Sequence, residues 1–260
     1  MRIATWNING VKARMESLTR WLEESAPDVV CLQEIKSQDE TFPGEPVERL
    51  GYNIATHGQK GFNGVALLSK RPLEDVTRRL PGDDGDEHAR WIEATVSGER
   101  GAVRVASLYL PNGNPVDTEK FPYKIAWMDR MLDRAEAMLA SDEPIVLAGD
   151  YNVIPDPKDA RHPDRWTDDA LFQPESRGRH RALENLGYCD AQRAVDDSAG
   201  IYTFWDYQAG AWQKNNGIRI DHVMLSPSAA DCLEGVAVEK HTRGWQKPSD
   251  HVPVVVTLDI

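Results

Sequence analysis

The sequence predicts an α+β fold: a four-layer α/β sandwich, with two packed mixed β-sheets flanked by helices. Three observations lead there. Short apolar runs bounded by turn residues recur along the chain, and such runs read as buried strands. Strands outnumber helices. The second half repeats the theme of the first, which suits two sheet layers packed face to face with helices outside. Clusters such as Pro81-Gly82-Asp83-Asp84-Gly85-Asp86 read as loops rather than linkers, so residues 1–260 are expected to form one domain.

The first strand is Ile3-Ala4-Thr5-Trp6, running into Asn7 and Asn9. Met15 to Glu24 fits a helix, with Met15, Leu18 and Leu22 on one face and Pro27 just past its end. Val29-Val30-Cys31-Leu32 is a strand ending at Gln33-Glu34. Gly64 to Ser69, Arg90 to Val96 and Val103 to Tyr109 follow as strands. The clearest helix spans Glu119 to Leu139. There Phe121, Ile125, Met128, Leu132, Ala135 and Leu139 recur at spacings of four and three, while Lys124, Arg130 and Arg134 fall elsewhere. Ile145-Val146-Leu147-Ala148 ends at Gly149-Asp150-Tyr151-Asn152. Pro155 to Phe172 is expected to be loop with short helical turns. Ser176 to Leu186 is helical, and Gly187 stops it. Tyr202 to Tyr207 and Ile218 to Leu225 read as strands. The tail puts Val252, Val254, Val256, Leu258 and Ile260 on one side of a half-buried strand.

A hydrophobic fraction of 40% supplies a sizeable core. Trp6, Asn7 and Asn9 interrupt the first apolar stretch, so no signal peptide is expected. No run reaches membrane-spanning length. The three cysteines (Cys31, Cys189, Cys232) are odd in number and far apart, as in reduced thiols of a cytoplasmic protein. The formal charge of -12 argues against a general nucleic-acid binder. A bound divalent cation would offset part of that charge, and a binding face need only be locally positive. Arg177-Gly178-Arg179-His180-Arg181, Lys214 with Arg219, and Arg243 with Lys247 are the basic stretches; each reads first as a solvated face.

The strand ends carry the chemistry. If the tips meet at one edge of a sheet, oxygen donors and an imidazole converge there, which suits a hard divalent cation and hydrolysis. Period two points Asp150 and Asn152 the same way, and together they could hold a water with a metal or a phosphoryl oxygen; a plain turn after a strand explains them equally well. Glu34 alone reads first as an ordinary loop residue and second as a metal ligand. Asn7 and Asn9 share a face, and each buried amide must find partners. Asp250 and His251 are adjacent, so their side chains diverge. Asp221 is the better partner for His251, fixing its tautomer and raising its basicity. His222 is the rival imidazole, but Val223 starts an apolar run beside it.

The ordered set Trp6-Asn7-Ile8-Asn9-Gly10, Leu32-Gln33-Glu34, Gly64-Val65-Ala66-Leu67-Leu68, Tyr109-Leu110-Pro111-Asn112-Gly113, Gly149-Asp150-Tyr151-Asn152, Tyr202 to Tyr207, Gly217 to His222 and Lys247 to His251 resembles the endonuclease/exonuclease/phosphatase family, in particular its class II apurinic/apyrimidinic endonucleases. The resemblance implies a Mg²⁺-dependent phosphodiesterase of base-excision repair, with Mn²⁺ as a substitute. It would degrade duplex DNA from 3′ ends, trim blocked 3′ termini and cut 5′ to abasic sites, as a monomer without a membrane. The implied metal set is Glu34 first, then Asn7, Asp150, Asn152, Asp250 and His251. The implied catalytic set is Tyr109 on the scissile phosphate, Asp150 activating the water or protonating the leaving oxygen, Asn152 orienting, and His251 oriented by Asp221. Phe204 and Trp205 would wall a pocket for a base-free sugar, with Asn9 and Arg219 also contacting substrate. The stretch Asn112-Gly113-Asn114-Pro115-Val116 lacks the basic residue some abasic-site enzymes carry, and Lys120 would contact the backbone instead. The alternatives are an inositol phosphatase or sphingomyelinase of the same fold, and a catalytically silent DNA-binding module.

Overall fold

The computed structural model describes residues 1–260. Its elements are β1 (Arg2–Asn7), α1 (Met15–Ser25), β2 (Val29–Gln33), α2 (Glu45–Glu48), β3 (Asn53–His57), β4 (Val65–Ser69), β5 (Glu74–Arg78), β6 (Trp91–Ser97), β7 (Ala102–Tyr109), α3 (Lys120–Leu139), β8 (Ile145–Asp150), α4 (Pro174–Asn185), β9 (Cys189–Asp190), α5 (Ala191–Val195), β10 (Asp221–Leu225), α6 (Pro227–Ala230), β11 (Leu233–Val238) and β12 (Val254–Leu258). They form two six-stranded sheets, ordered β11-β12-β1-β2-β4-β3 and β5-β6-β7-β8-β10-β9.

Each sheet is built around one parallel pair, β1 with β2 and β7 with β8. A parallel pair needs a crossover, and α1 and α3 supply it. The neighbours on either side are antiparallel, β12 and β4 in one sheet, β6 and β10 in the other. The sheets therefore share a topology, which is the physical content of the two similar halves.

Both faces of the central strands are buried, so those strands read as unbroken apolar runs. Ile3, Val29, Cys31, Val105, Val146, Ala148 and Val223 meet in the core between the sheets. Ala4, Trp6, Val30 and Leu32 pack outward with Leu18, Trp21 and Leu22 of α1. Ala106, Leu108, Ile145 and Leu147 pack outward against Trp127, Met128 and Met131 of α3 and Leu183 of α4. Each fully buried aliphatic side chain is worth about 1.5–3 kcal/mol, against about 0–1 kcal/mol for an exposed ion pair such as Arg20–Glu24. Apolar layering, not surface charge, sets the fold.

Four expectations need correction. Asn53–His57, Glu74–Arg78, Cys189–Asp190 and Leu233–Val238 were not visible as strands; they are the four edge strands. Edges are partly solvated and carry polar side chains that hide the periodicity. Tyr202 to Tyr207 is not a strand, since Phe204 makes only isolated bridges to Ile218 and His251. The strand expected from Ile218 begins at Asp221. The buried stripe of α3 is Lys124, Trp127, Met128, Met131, Ala135 and Met138, so the expected stripe is rotated and Lys124 lies inside it.

Gly149 is forced by backbone packing. It stands opposite Leu108 in the parallel pair, and a Cβ there would lie 1.9 Å from the Leu108 carbonyl oxygen. Gly149→Ala is expected to cost roughly 1–3 kcal/mol or more through overpacking, seen as a Tm lowered by several degrees; an unchanged melting curve would contradict this packing.

Candidate active site

On every central strand the face between the sheets turns polar at the same end. Counting in twos from the core residues leads from Ile3 to Asn7, from Cys31 to Gln33, from Val105 to Tyr109, from Ala148 to Asp150, and from Val223 back to Asp221. The cross-strand register sets Asp150 directly between Tyr109 and Asp221. The tips thus come from two sheets and meet at the mouth of the space between them, not at one edge of one sheet.

Asn7 Nδ2 donates to Glu34 Oε1 at 3.0 Å and to Asp150 Oδ2 at 2.9 Å, joining a carboxylate from each sheet. The Tyr109 hydroxyl donates to Glu34 Oε1 at 2.9 Å. Lys36 Nζ lies 2.8 Å from Glu34 Oε2 and donates to Asn9 Oδ1 at 2.6 Å. Asn9 Nδ2 donates to Asp250 Oδ1 at 3.0 Å. His251 Nδ1 lies 2.8 Å from Asp221 Oδ2, and its Nε2 points to Asp150 Oδ2 at 3.7 Å. The segment carrying His251 is tied down by Ser249 Oγ donating to the Asn7 carbonyl at 2.6 Å and Trp6 Nε1 donating to the His251 carbonyl at 3.1 Å.

Left-handed backbone aims several of these groups. Asn9, Glu34, Lys36 and Asn152 have φ of 48°, 49°, 50° and 46°. Strict alternation would send Glu34 away from the face that Gln33 occupies, and the positive φ turns it back into the mouth. Strained residues of this kind collect at functional sites. Asn152 reaches Asp150 in the same way: its N–H donates to Asp150 Oδ1 at 2.9 Å, so a turn rather than strand alternation brings the pair together.

Burial works against ionising Asp150, and the neighbouring Asp221 adds to this; the two outweigh His251 and Asn7, so its pKa stands above the carboxylate range. Burial also works against the His251 cation, but Asp221 and Asp150 reverse the sign and hold the imidazole well above its usual value. For Glu34, burial is outweighed by hydrogen bonds from Asn7 and Lys36, which hold it below the usual range. Burial, with Glu34 and Asp150 beside it, keeps Tyr109 protonated and able to donate. Asp150 is the carboxyl best placed to exchange a proton near neutrality, and the imidazolium beside it is a fixed positive charge.

The ligand atoms of Asp150, Asp221 and His251 lie within 4.8 Å of one another. With Glu34 next to them, the donors are oxygen-rich, as hard cations prefer, so this end of the molecule fits a divalent ion. Two expected ligands are engaged in hydrogen bonds and an ion pair within the site. Asn7 faces both carboxylates with its amide nitrogen, its Oδ1 accepting from Asn9 N. His251 has Nδ1 committed to Asp221 and is held protonated.

Asn152 is brought to the site, but its amide already donates to the Leu110 carbonyl and accepts from Asn112. Phe204 is half-buried with its ring 4.9 Å from His251. Trp205 is 0% exposed, bonded to Asn215, and lies behind the surface rather than walling a pocket. Arg219 is 1% exposed and clamped between Asp159 and Asp190, so its charge is neutralised inside the molecule. Lys120 is exposed at the start of α3. Of the basic stretches, Arg179 pairs with Asp129, and His180 is buried. His222 is packed, bonded to Arg219 and the Val153 carbonyl.

Sequence reasoning missed Lys36, Arg90 and Lys124. Arg90 stacks its guanidinium 4.8 Å from the centre of the Tyr109 ring. Lys36 lies two residues beyond Glu34, a spacing that could have drawn attention to it. Lys124 had no such signal, because a lysine among apolar helix positions reads as a flank residue.

Behind Tyr151, His180 and His222 meet edge to face with ring centroids 5.0 Å apart. Burial pushes His180 down to about 4 and, with Arg219, His222 down to about 3. An unfolded histidine binds a proton below about pH 6.5, whereas these stay neutral in the fold. Stability is therefore expected to be level in their respect above pH 6.5 and to fall as the pH drops from there towards 4, with uptake of about two protons on unfolding. Urea unfolding at pH 7, 6 and 5 measures this, and His180→Leu should remove about one proton of the dependence; equal slopes in the two proteins would refute it.

The matching family model, described as "Endonuclease/Exonuclease/phosphatase family", covers residues 4–251. The chain is 36% identical over 262 residues to exodeoxyribonuclease III of Haemophilus influenzae, covering 98% of each. It superposes on an AP endonuclease from Archaeoglobus fulgidus with a TM-score of 0.95 and 33% identity, covering 100% of both chains. A 3′ phosphatase from Neisseria, bound to a product DNA hairpin, gives a TM-score of 0.96 at 34% identity, again covering 100% of both chains.

Proposed function

Since the chain belongs to the endonuclease/exonuclease/phosphatase family, we propose that it hydrolyses phosphodiesters at 3′ ends of duplex DNA and on the 5′ side of abasic sites, using Mg²⁺ or, in its place, Mn²⁺. It is a DNA repair nuclease, a phosphodiester hydrolase related to exodeoxyribonuclease III and to AP endonucleases. No helix is long and apolar enough to cross a membrane. Our reading is of a monomer acting in the cytoplasm.

The observation that carries the reading is the hydrogen-bonded chain Tyr109–Glu34–Asn7–Asp150, with the His251–Asp221 pair against its end. It sets a proton carrier, a phenol donor and an imidazolium around one point. Glu34 would hold the divalent cation, with Asp250 contributing directly or through water. When bound, the cation neutralises charge on the scissile phosphate. Asp150 takes a proton from the attacking water on one side of phosphorus, and the 3′ oxygen leaves on the other as the P–O3′ bond breaks and is protonated by solvent, which gives a 3′ hydroxyl and a 5′ phosphate. The Tyr109 hydroxyl and the His251 cation bond the non-bridging oxygens, whose charge grows in the transition state. Asp221 holds the imidazole in register. Phe204, beside His251, offers an apolar surface to a sugar without a base, a contact an intact nucleotide would crowd.

End-labelled abasic duplex incubated with Mg²⁺ is expected to give a 3′ hydroxyl and a 5′ sugar phosphate, and EDTA is expected to abolish the reaction. Products with a 3′ phosphate would exclude this chemistry. Glu34→Ala should lower activity about 100-fold or more while leaving the melting curve close to that of the parent protein. His251→Asn should lower turnover by about 10²–10⁴-fold with DNA affinity changed much less; loss of affinity at unchanged turnover would remove His251 from the transition state.

A further inference from the structure

Lys124 is a lysine with 0% exposure, on the inward face of α3. Its Nζ donates to two backbone carbonyls, Asn112 at 3.2 Å and Asn152 at 2.5 Å, and pairs with no carboxylate. Those carbonyls belong to the two chain segments that leave β7 and β8. The same segments are joined three more times: Leu110 N donates to the Asp150 carbonyl at 2.9 Å, Asn152 Nδ2 to the Leu110 carbonyl at 2.9 Å, and Asn112 Nδ2 to Asn152 Oδ1 at 3.1 Å. One segment starts from Tyr109 and the other from Asp150. The lysine stem fills the space beside Gly113, where a Cβ would lie 2.6 Å from Lys124 Cδ. An amine buried with no carboxylate in contact is costly. Two convergent carbonyls define what it does there.

We propose that Lys124 is a positioning residue: it clamps the segments after β7 and β8 together, and so sets the spacing between Tyr109 and Asp150. The proposal rests on the nuclease reading above. Lys124 cannot touch DNA, unlike Lys120 one helical turn earlier, so its effect falls on the chemical step rather than on binding. It also explains why Asn152 uses its amide on Leu110 and Asn112: it is a brace in the same truss.

The test compares the parent protein with Lys124→Met, Asn112→Ala and the double variant. DNA affinity is measured in EDTA, cleavage under single turnover with Mg²⁺, and folding by melting. Lys124→Met is expected to bind duplex within about threefold of the parent and to cleave about 10- to 100-fold more slowly, as for other supports of catalytic groups. The double variant should lose less than the product of the two single losses, because both act through Asn152. A folded Lys124→Met protein with parental cleavage rate overturns the proposal, as does a loss confined to affinity or to Tm. If Lys124→Met does not fold, Lys124→Leu, which also lacks a donor, is judged on the same rate. A parent protein that cleaves no DNA overturns the nuclease reading instead.

Discussion

Every distance in the site depends on how the two sheets are held against each other. Glu34, Asn7 and His251 are carried on or beside one sheet, Tyr109, Asp150 and Asp221 by the other. Apolar packing between the sheets is strong but non-directional, and by itself leaves one sheet free to shift over the other. A polar latch next to the site removes that freedom. Gln33 Nε2 donates across the gap to Ser107 Oγ at 3.1 Å, Ser107 Oγ donates back to the Leu32 carbonyl at 3.1 Å, and Thr5 Oγ1 donates to Gln33 Oε1 at 3.2 Å. All three side chains are fully buried, so each lost bond would leave an unsatisfied group. Register between sheets is thereby specified within one residue of Glu34.

The same arrangement accounts for the electrostatics. Asp150 and Asp221 stand opposite each other on adjacent strands, where two carboxylates repel. Placing His251 against both sets an imidazolium between the two carboxylates and offsets their repulsion. Asp150 then keeps a high pKa because burial disfavours its charged form, and the cation that opposes this is shared with Asp221, which lies closer to it. Glu34 has its own cation in Lys36 and stays ionised. Two carboxylates joined by one asparagine are thus driven to different protonation behaviour by their neighbours, and this division of labour separates a proton carrier from a ligand.

Much of this was legible in the sequence, for a definite reason. Central strands buried on both faces show unbroken apolar runs, and the run ends where the inter-sheet face turns polar; Asn7, Tyr109, Asp150 and Asp221 could be read from that transition. The pairing of His251 with Asp221 followed from the divergence of neighbouring side chains. What strand alternation alone did not explain was whatever depends on departures from regular backbone. Glu34 points inward only because of its positive φ, and Phe204 meets His251 through an isolated bridge. Arg219 looked like a contact residue because nothing in Gly217 to His222 announces that Asp159 and Asp190 will enclose it. Lys124 was hidden by its own type, since burial of a lysine is the rarer outcome.

The internal use of arginine bears on how a chain of net charge -12 handles a polyanion. Arg104 and Arg134 both serve the buried Glu93, Arg130 serves Asp86, and Arg193 and Arg219 serve Asp159. These guanidinium groups hold the fold and release no counterions from DNA. At the mouth itself Lys36 and His251 stand among Glu34, Asp150, Asp221 and Asp250, so a divalent cation held there would supply positive charge that the internally committed arginines do not.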